Sequence, residues 1–504
     1  MITITLFSTV DQIGGFVYTI ILSRAIGAEG IGMYQVAINL VSLAVALSAS
    51  GLPFVLGRRV AEFDALGNSE GQHASTTAAL LVGLSISTAT CVFFLLNKNL
   101  LVAVTKSEQI ATMCLFLLPA AFANSAYACF RGAIWGKKRY VAHSSLEIID
   151  IIIRITIALF VFQGLFTAYT GALRACLAYS TTCVITASVS FLIYRFSGGK
   201  FKKPSDHIKP IIKSAVPVSG IRLAGNLFST VIALLFNSRM TAAGYTLNAA
   251  MAEYGILTGM TLPMIAFPVI FTCAISTTLV PEISGNMKKH DVNTVRRHLK
   301  KAIDYTILFG GLAIGVYLSF GRQICTLVFS NPDAGSYVQN ACWIMIPLAV
   351  SSLTTSLQNS LGLEYKSLVN YFAGAACMLS AVWFLPKFIG AYSLIVGTGI
   401  GMTVTALLNI FMICSYVKLN GGFLKTLTSI VAFAALSALS GKLVYNLLLL
   451  ALTPLPALPI GCLAAVTVYL LLTSVFDTAG VNTLWKNLYF CVDPHSCLNS
   501  FRKA

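Results

Sequence analysis

Charged residues are scarce in this chain and make up only 10% of its 504 residues. A soluble globular domain carries about 25% charged and about 45–50% apolar residues, whereas 57% of the residues here are hydrophobic. This balance excludes a soluble domain and predicts a polytopic membrane protein. The start of the chain also lacks a basic region followed by a small-residue cleavage site, so we expect residues 2–22 to form a retained first span.

The sequence also lacks the motifs of common catalytic sites. It contains no Walker A, HExxH or GxSxG pattern, and its predicted outer loops are short. The 13 cysteines lie mostly singly inside apolar stretches, with no CxxC pair and no Cys/His ligand spacing. We therefore predict that the protein is not an enzyme and uses no cofactor or metal. Energy for any transport then comes from an ion gradient, the membrane potential or the substrate gradient.

Long apolar runs are what the sequence does contain. A membrane-spanning helix needs about 20 predominantly apolar residues, and this criterion predicts an all-α protein with about 14 transmembrane helices. Pro263 and Pro268 fall inside one long run and are expected to bend it. The predicted spans are roughly 3–23, 31–55, 76–97, 109–130, 140–162, 168–194, 214–237, 253–281, 302–320, 338–362, 368–386, 392–416, 426–448 and 456–476.

The formal charge of +17 has a topological explanation. Most of the basic residues fall in alternate loops, which the positive-inside rule assigns to the cytoplasm together with both termini. We expect the longest loops to be 56–75, 195–213 and 282–301, the last with a short amphipathic helix on the inner surface. Anionic membrane lipids, not nucleic acid, are the predicted partners of the loops. The residues assigned to this inner-leaflet role are Arg58, Arg59, Arg131, Lys137, Lys138 and Arg139.

The two halves of the chain contain similar sequence patterns. Residues 27–34 (GAEGIGMY) enter the second span and residues 251–260 (MAEYGILTGM) enter the eighth, and each span ends with a proline, an acidic residue and a polar loop. The two stretches are six helices apart, and because six is an even number the corresponding helices cross the membrane in the same direction. This predicts two parallel repeats. We expect a six-helix lobe over 1–200, a second over 201–420, and two additional helices with a cytoplasmic tail over 421–504.

The fifth span has a row of ionisable residues on one face. The residues His143, Glu147, Asp150 and Arg154 are spaced i, i+4, i+7 and i+11, which places them on one side of a helix. A charge at the bilayer centre costs at least about 2.5–3.5 kcal/mol, so this face must turn toward protein or water. The alternative is an internal Asp150–Arg154 salt bridge that only holds helices together.

Two other spans present polar faces. The seventh carries Ser219, Arg222, Asn226 and Thr230, and the first carries Ser8, Asp11, Gln12, Gly15 and Tyr18. If these polar faces meet, their cationic groups can bind an anionic headgroup such as a phosphate or pyrophosphate. The predicted lining of a substrate pathway is Asp11, Gln12, Tyr18, Glu147, Asp150, Arg154, Arg222 and Asn226.

Several stretches resemble the stage V sporulation protein B and polysaccharide-transporter branch of the multidrug/oligosaccharidyl-lipid/polysaccharide (MOP) flippase superfamily. They are SRAIGAEGIGMYQVA, ASGLPFVLGRRVAEF, FRGAIWGKKRYVAHSSLEIIDIIIRI, YGILTGMTLPMIAFPVIF and LVPEIS, and the resemblance extends over at least residues 5–415. It implies two six-helix lobes plus two helices. It also implies the flipping of undecaprenyl-linked glycans, such as cell-wall, spore-cortex or polysaccharide precursors, by alternating access.

The sequence departs from this resemblance at one point. Lipid II flippases of the better-known branch carry cavity arginines in their first two helices. The corresponding first-helix positions here are Gln12 and Tyr18, and the second helix has no interior arginine. Arg222 and Arg154 are our candidates for that charge. Two other functions remain open: a multidrug/cation antiporter of the same superfamily, which would use acidic cavity residues such as Asp11, Glu147 and Asp150, and an integral-membrane glycan polymerase or ligase.

Overall fold

A computed structural model describes residues 2–163, 170–204, 207–288, 291–418 and 423–478. Within these ranges the chain is helical, with no strand, which confirms the predicted all-α class. The helices are α1 (Ile2–Ala49), α2 (Leu52–Ala65), α3 (Ser69–Leu96), α4 (Lys98–Thr105), α5 (Glu108–Gly136), α6 (Tyr140–Phe162), α7 (Gly171–Phe196), α8 (Ile208–Ala242), α9 (Leu247–Ile256), α10 (Leu262–Ala266), α11 (Val269–Lys288), α12 (Val292–Phe329), α13 (Pro332–Ala341), α14 (Met345–Ser360), α15 (Glu364–Phe384), α16 (Pro386–Ile389), α17 (Tyr392–Val417), α18 (Phe423–Leu448) and α19 (Pro454–Val475).

Each predicted span lies mostly on helix over the residues described, with breaks at 50–51 in the second span and at 267–268 in the eighth. In this part of the chain, 11 helical runs are long and apolar enough to cross a membrane. One of them, Thr9–Ala65, has 57 residues and would be about 86 Å long at about 1.5 Å per residue. Because the hydrocarbon core is about 30 Å thick, this run is long enough for more than one crossing. The count of about fourteen crossings stays a prediction.

Gly27 divides α1 into two helical halves. Its backbone has φ 70° and ψ −179°, a conformation that residues with a Cβ atom rarely adopt. The two halves match the predicted spans 3–23 and 31–55. The helix therefore kinks at Gly27, between the two predicted spans, without a separate loop.

The loops are shorter than the sequence predicted. Helix α2 occupies 52–65, and α8 and α12 begin at Ile208 and Val292, so the loops expected over 56–75, 195–213 and 282–301 are wrong in extent. The separate amphipathic helix expected at 283–301 is also wrong, because α11 continues to Lys288 and α12 starts after Asp291. The Asp291 side chain caps α12 by accepting a hydrogen bond from the Thr294 N–H at 3.1 Å. The length of an apolar run identifies only the part of a helix that can lie in the membrane. The helical backbone hydrogen bonds continue into the polar residues beyond it, which were counted as loop.

The two prolines interrupt their helical run as predicted. A π-helical turn, Leu257–Thr261, separates α9 from α10 just before Pro263. The run then breaks at Phe267 and Pro268 before α11 begins. A proline lacks the N–H of the helical ladder, and its ring clashes with the preceding turn, which accounts for a break at this position.

The helices form two compact units. The first comprises 1–263 with 381–394, and the second comprises 264–380 with 395–504. In the first, α5 packs against α1, α2, α3 and α7. In the second, α12 packs against α13, α14, α18 and α19, and the Tyr469 hydroxyl on α19 donates a 2.7 Å hydrogen bond to the Leu308 carbonyl on α12. The predicted lobes 1–200 and 201–420 remain predictions.

We predict that Gly255→Ala destabilises the protein and that Gly15→Ala does not. A Cβ atom at Gly255 of α9 would lie 2.0 Å from the Ala28 carbonyl oxygen of α1, whereas at Gly15 it would meet nothing within 4 Å. Overpacking typically costs about 1–3 kcal/mol, and an added methyl in open space is neutral or improves helix propensity. Thermal unfolding of the purified variants in detergent measures the difference. Equal midpoints for the two variants would contradict this packing.

Candidate functional site

A polar cavity of about 790 Å³ lies within the first unit. The second half of α1, the start of α2, and helices α5, α6 and α8 line it. Three of these helices contribute its charged side chains: Arg131 from α5, Glu147 from α6 and Arg222 from α8. We call this space the polar cavity. It is the candidate site because it brings together ionisable residues from separate apolar helices.

Helix α5 presents Asn124, Tyr127, Arg131 and Trp135 to the polar cavity. Their spacing is i, i+3, i+7 and i+11, so they share one face. The expectation that Arg131 belongs to a basic loop was wrong, because α5 continues to Gly136. The sequence did contain the signal, since these four residues have the same spacing as Ser219, Arg222, Asn226 and Thr230. The basic charge of the following loop obscured it.

Arg131 binds two side chains of α6. Its Nη2 atom donates to the Glu147 carboxylate, and its Nε atom donates to His143 Nε2 at 3.1 Å. The side chains of Arg131 and Glu147 are 34% and 18% exposed, so the ion pair is partly shielded from water. As an acceptor for Arg131, His143 Nε2 carries no proton in this arrangement.

Arg222 contributes the second guanidinium. Its Cζ atom lies 4.7 Å from the centre of the Phe54 ring, which packs edge-on against Trp135 with ring centres 5.8 Å apart. The Arg222 side chain is exposed, and no carboxylate among the described residues pairs with it. A cation over an aromatic face keeps its hydrogen-bond donors available.

The rest of the predicted α8 face attaches this helix to α1. Asn226 Nδ2 donates to the Ser42 carbonyl at 3.4 Å, and the Thr230 hydroxyl donates to the Asn39 carbonyl at 3.0 Å. The Ser219 hydroxyl accepts a hydrogen bond from the backbone N–H at position 51 at 3.2 Å. These contacts fix the orientation of α8, and Asn226 also lines the polar cavity.

The Asp150–Arg154 half of the α6 face forms a second cluster. Arg154 Nη2 lies 2.5 Å from Asp150 Oδ2, and the Arg154 guanidinium lies 5.7 Å from the Tyr18 ring centre and 5.6 Å from that of Tyr179. Asp11 on α1 is within electrostatic range of this pair. Two aromatic rings and a carboxylate thus hold Arg154 in place. The Asp150–Arg154 pair is the internal salt bridge that the residue spacing allowed as an alternative.

Five predicted pathway residues do not belong to the described lining of the polar cavity. Tyr18 is buried, Gln12 is exposed, and the other three are half-buried. Their place in a substrate pathway therefore stays a prediction. These residues are Asp11, Gln12, Tyr18, Asp150 and Arg154.

The basic residues near the helix ends have varied surroundings. Arg58 is exposed and pairs with Glu62 on the same helix at 2.9 Å, and Lys138 and Arg139 are exposed, whereas Arg59 and Lys137 are half-buried. Burial, together with the nearby Arg139 charge, lowers the pKa of Lys137. Their inner-leaflet role stays a prediction.

An apolar groove of about 580 Å³ lies on another side of the α1–α8 contact. Its lining includes Leu47 of α1, Leu81 of α3, and Ile212, Val216 and Leu223 of α8. Leu47, Leu81, Ile212 and Val216 are exposed hydrophobic side chains. We call this space the apolar groove. It offers a surface for hydrocarbon close to the polar cavity, with α1 and α8 contributing to both.

Within the part of the chain that the structure describes, no cluster of three or more His, Cys, Asp or Glu side chains could hold a metal ion. The cysteines in these ranges are free thiols. The polar cavity presents guanidinium, carboxylate, imidazole and amide groups.

Comparisons with known proteins agree with this architecture. A family model described as polysaccharide biosynthesis protein matches residues 1–287. Stage V sporulation protein B from Bacillus subtilis (strain 168) is 23% identical over 401 residues, which cover 75% of each chain. The solved structure of lipid II flippase MurJ in an inward closed conformation aligns with a TM-score of 0.67 at 13% identity, over 95% of this chain and 99% of that one.

A second solved structure has the same fold. It is an inward-facing multidrug resistance MATE family transporter of the MOP superfamily, with a TM-score of 0.62 at 15% identity over 81% of this chain and 95% of that one. At these identities the two structures establish the fold alone. The chain is thus an all-α, multi-pass membrane protein of the flippase type of fold.

We predict that Arg154→Ala destabilises the protein more than Arg222→Ala. Removing Arg154 leaves Asp150 unpaired in a shielded site, and breaking such a pair costs up to about 3–5 kcal/mol when it is fully buried. An exposed cation–π contact like that of Arg222 is worth about 0.5–1 kcal/mol. Thermal unfolding in detergent compares the two variants. A larger loss for Arg222→Ala would contradict the structural role assigned to Arg154.

Proposed function

The chain belongs to the polysaccharide biosynthesis protein family, whose model matches more than half of it, and we propose that it flips a lipid-linked oligosaccharide or a cell-wall or polysaccharide precursor across the cytoplasmic membrane. The coarser assignment, a membrane transporter of the MOP flippase superfamily, follows from the family and the fold. The proposal concerns the substrate: an anionic headgroup on an undecaprenyl-type chain.

The observation that carries this proposal is a pair of guanidinium groups on the polar cavity. Arg131 and Arg222 come from different helices and line the same space of about 790 Å³, a volume within the usual range of ligand sites, about 300–1,000 Å³. Guanidinium groups bind phosphate oxygens with charge-assisted, often bidentate hydrogen bonds. Amide and aromatic neighbours such as Asn124 and Trp135 suit sugar hydroxyls and apolar sugar faces.

The apolar groove supports a substrate with a hydrocarbon chain. A lipid-linked glycan is amphipathic, and burying each CH₂ of its chain in an apolar site is worth about 0.8 kcal/mol relative to water. The polar cavity and the apolar groove flank the contact between α1 and α8. We place the headgroup in the cavity and part of the chain in the groove.

In this proposal transport proceeds by alternating access, with the headgroup exposed first to one side of the membrane and then to the other. The protein needs no catalytic residue, because no covalent bond changes. The basic helix ends contact anionic lipids of the inner leaflet, and both termini lie in the cytoplasm. The predicted six-helix lobes, 1–200 and 201–420, are the bodies that move.

A multidrug/cation antiporter is the second candidate, because the MATE transporter shares the fold. Such a protein would bind its cationic substrate through carboxylates. Here Glu147 and Asp150 already pair with Arg131 and Arg154, and Arg222 adds a further positive charge to the polar cavity. The charge balance of the cavity therefore favours an anionic substrate.

We predict that Arg131→Ala and Arg222→Ala each lower flipping by about tenfold or more. A hydrogen bond to a charged group is worth about 1.5–3 kcal/mol, and about 1.4 kcal/mol corresponds to a factor of ten. The measurement is translocation of defined undecaprenyl-linked glycans by the full-length protein in liposomes. Arg58→Ala is the matched control, because Arg58 is an exposed arginine paired on its own helix.

Two outcomes of this experiment would contradict the proposal. One is unchanged flipping in both cavity variants when their amount and thermal stability match the wild type. The other is transport of cationic dyes without transport of any lipid-linked glycan, which would favour the antiporter.

A further inference from the structure

The charges on the polar cavity do not balance those of the proposed substrate. Arg131 and Arg222 bring two positive charges and Glu147 brings one negative charge, so the lining has a surplus of a single positive charge. A sugar diphosphate ester carries about two negative charges at neutral pH. Once it is bound, the cavity holds one negative charge too many, in an environment where uncompensated charge is costly.

Glu147 and the headgroup compete for the same cation. The guanidinium of Arg131 already serves the Glu147 carboxylate and the His143 ring. Both partners use the Nε–Nη2 edge of the guanidinium, so a phosphate that engages this edge bidentately displaces both of them. The Glu147 carboxylate, only 18% exposed, then loses its counter-ion without gaining full hydration.

We propose that Glu147 is the proton-coupling residue of the polar cavity: a bound anionic headgroup takes over Arg131, and the Glu147 carboxylate takes up one proton from water. This inference rests on the proposed function, because it requires an anionic substrate. Binding of the anion and uptake of the proton then occur together. The loaded cavity becomes electrically neutral, which removes the largest cost of moving a charged headgroup through the membrane.

The other ionisable groups near Glu147 leave it as the site of the proton. Asp11 of α1 adds negative charge nearby, whereas Tyr127 of α5 is a weak acid that stays neutral near pH 7. Asp150 is the next carboxylate on α6, but Arg154, enclosed by Tyr18 of α1 and Tyr179 of α7, keeps it paired. Across the cavity, α8 supplies only the cation Arg222.

Two groups compete with Glu147 for the proton, Asp11 and His143. Asp11 lies within electrostatic range of Arg131, and His143 Nε2 loses the Arg131 donor when a phosphate binds. A proton on either group would add the same positive charge, so charge balance alone does not identify the acceptor. Glu147 is favoured because, among the described residues, it is the carboxylate that forms an ion pair with Arg131.

The test uses the full-length protein in lipid nanodiscs and a short-chain prenyl diphosphate sugar. Both phosphates of this probe are esterified, so it does not itself titrate between about pH 6 and 9. Calorimetric titration in buffers of different ionisation heat gives the number of protons taken up per probe bound. We expect up to about one proton for the wild type, with binding weakening by up to about tenfold per unit rise in pH.

Variants of the ionisable residues identify which side chain takes up the proton. Glu147→Gln is expected to bind the probe with no proton uptake and with a flat pH dependence, whereas Glu147→Asp, His143→Gln, Asp11→Asn and the exposed control Glu62→Gln keep the uptake. Loss of uptake in His143→Gln or Asp11→Asn, or its persistence in Glu147→Gln, would overturn the assignment. If Glu147→Gln fails to fold, the wild-type proton count together with the result for His143→Gln and Asp11→Asn decides the question, because uptake retained in both excludes the two competing acceptors.

The same data separate this inference from the proposed function. Probe binding by the wild type without proton uptake overturns the coupling role of Glu147 and leaves the anionic substrate intact. Failure of the wild type to bind the probe at any pH contradicts the proposed function, and the coupling inference falls with it.

Discussion

An ionisable side chain on an apolar helix must find an opposite charge, an aromatic face or water, and the first unit of this protein is arranged around that constraint. Helix α6 carries a carboxylate and an arginine one turn apart, and a second carboxylate whose counter-ion comes from α5. Helix α5 must therefore extend to Gly136 and pack near α6. Helix α1 approaches the same face with Tyr18, which adds an aromatic surface for Arg154. The packing of three helices thus follows from one row of ionisable side chains.

This row divides into two parts with different surroundings. From His143 to Arg154 the helix rises about 16 Å, at about 1.5 Å per residue. At one end, Glu147 and His143 face the polar cavity through Arg131. At the other end, Asp150 and Arg154 pair with each other, and the rings of Tyr18 and Tyr179 flank the guanidinium. The Arg131–Glu147 pair lines a space that a ligand can enter, whereas the Asp150–Arg154 pair lies outside the described lining of that space.

The sequence predicted the features that depend on helical periodicity and on hydropathy. The helical class, most of the helical segments, the break at Pro268 and the shared faces of α6 and α8 all follow from spacing within one chain. Arg131 was missed because its partner lies on another helix and because a basic loop follows it. The loop lengths were overestimated, since polar helical turns look like loops when only apolar length is counted. The two compact units, divided near position 263, depend on long-range packing, which no local pattern encodes.

The central claim is that Arg131 and Arg222 together hold the anionic headgroup. The most direct measurement is an electron cryo-microscopy structure of the protein in nanodiscs with a bound undecaprenyl diphosphate sugar. We expect phosphate density within hydrogen-bond distance, about 2.7–3.2 Å, of both guanidinium groups, with the first isoprene units in the apolar groove. Phosphate density that contacts neither arginine, in a protein with the same fold and a well-defined ligand, would contradict it.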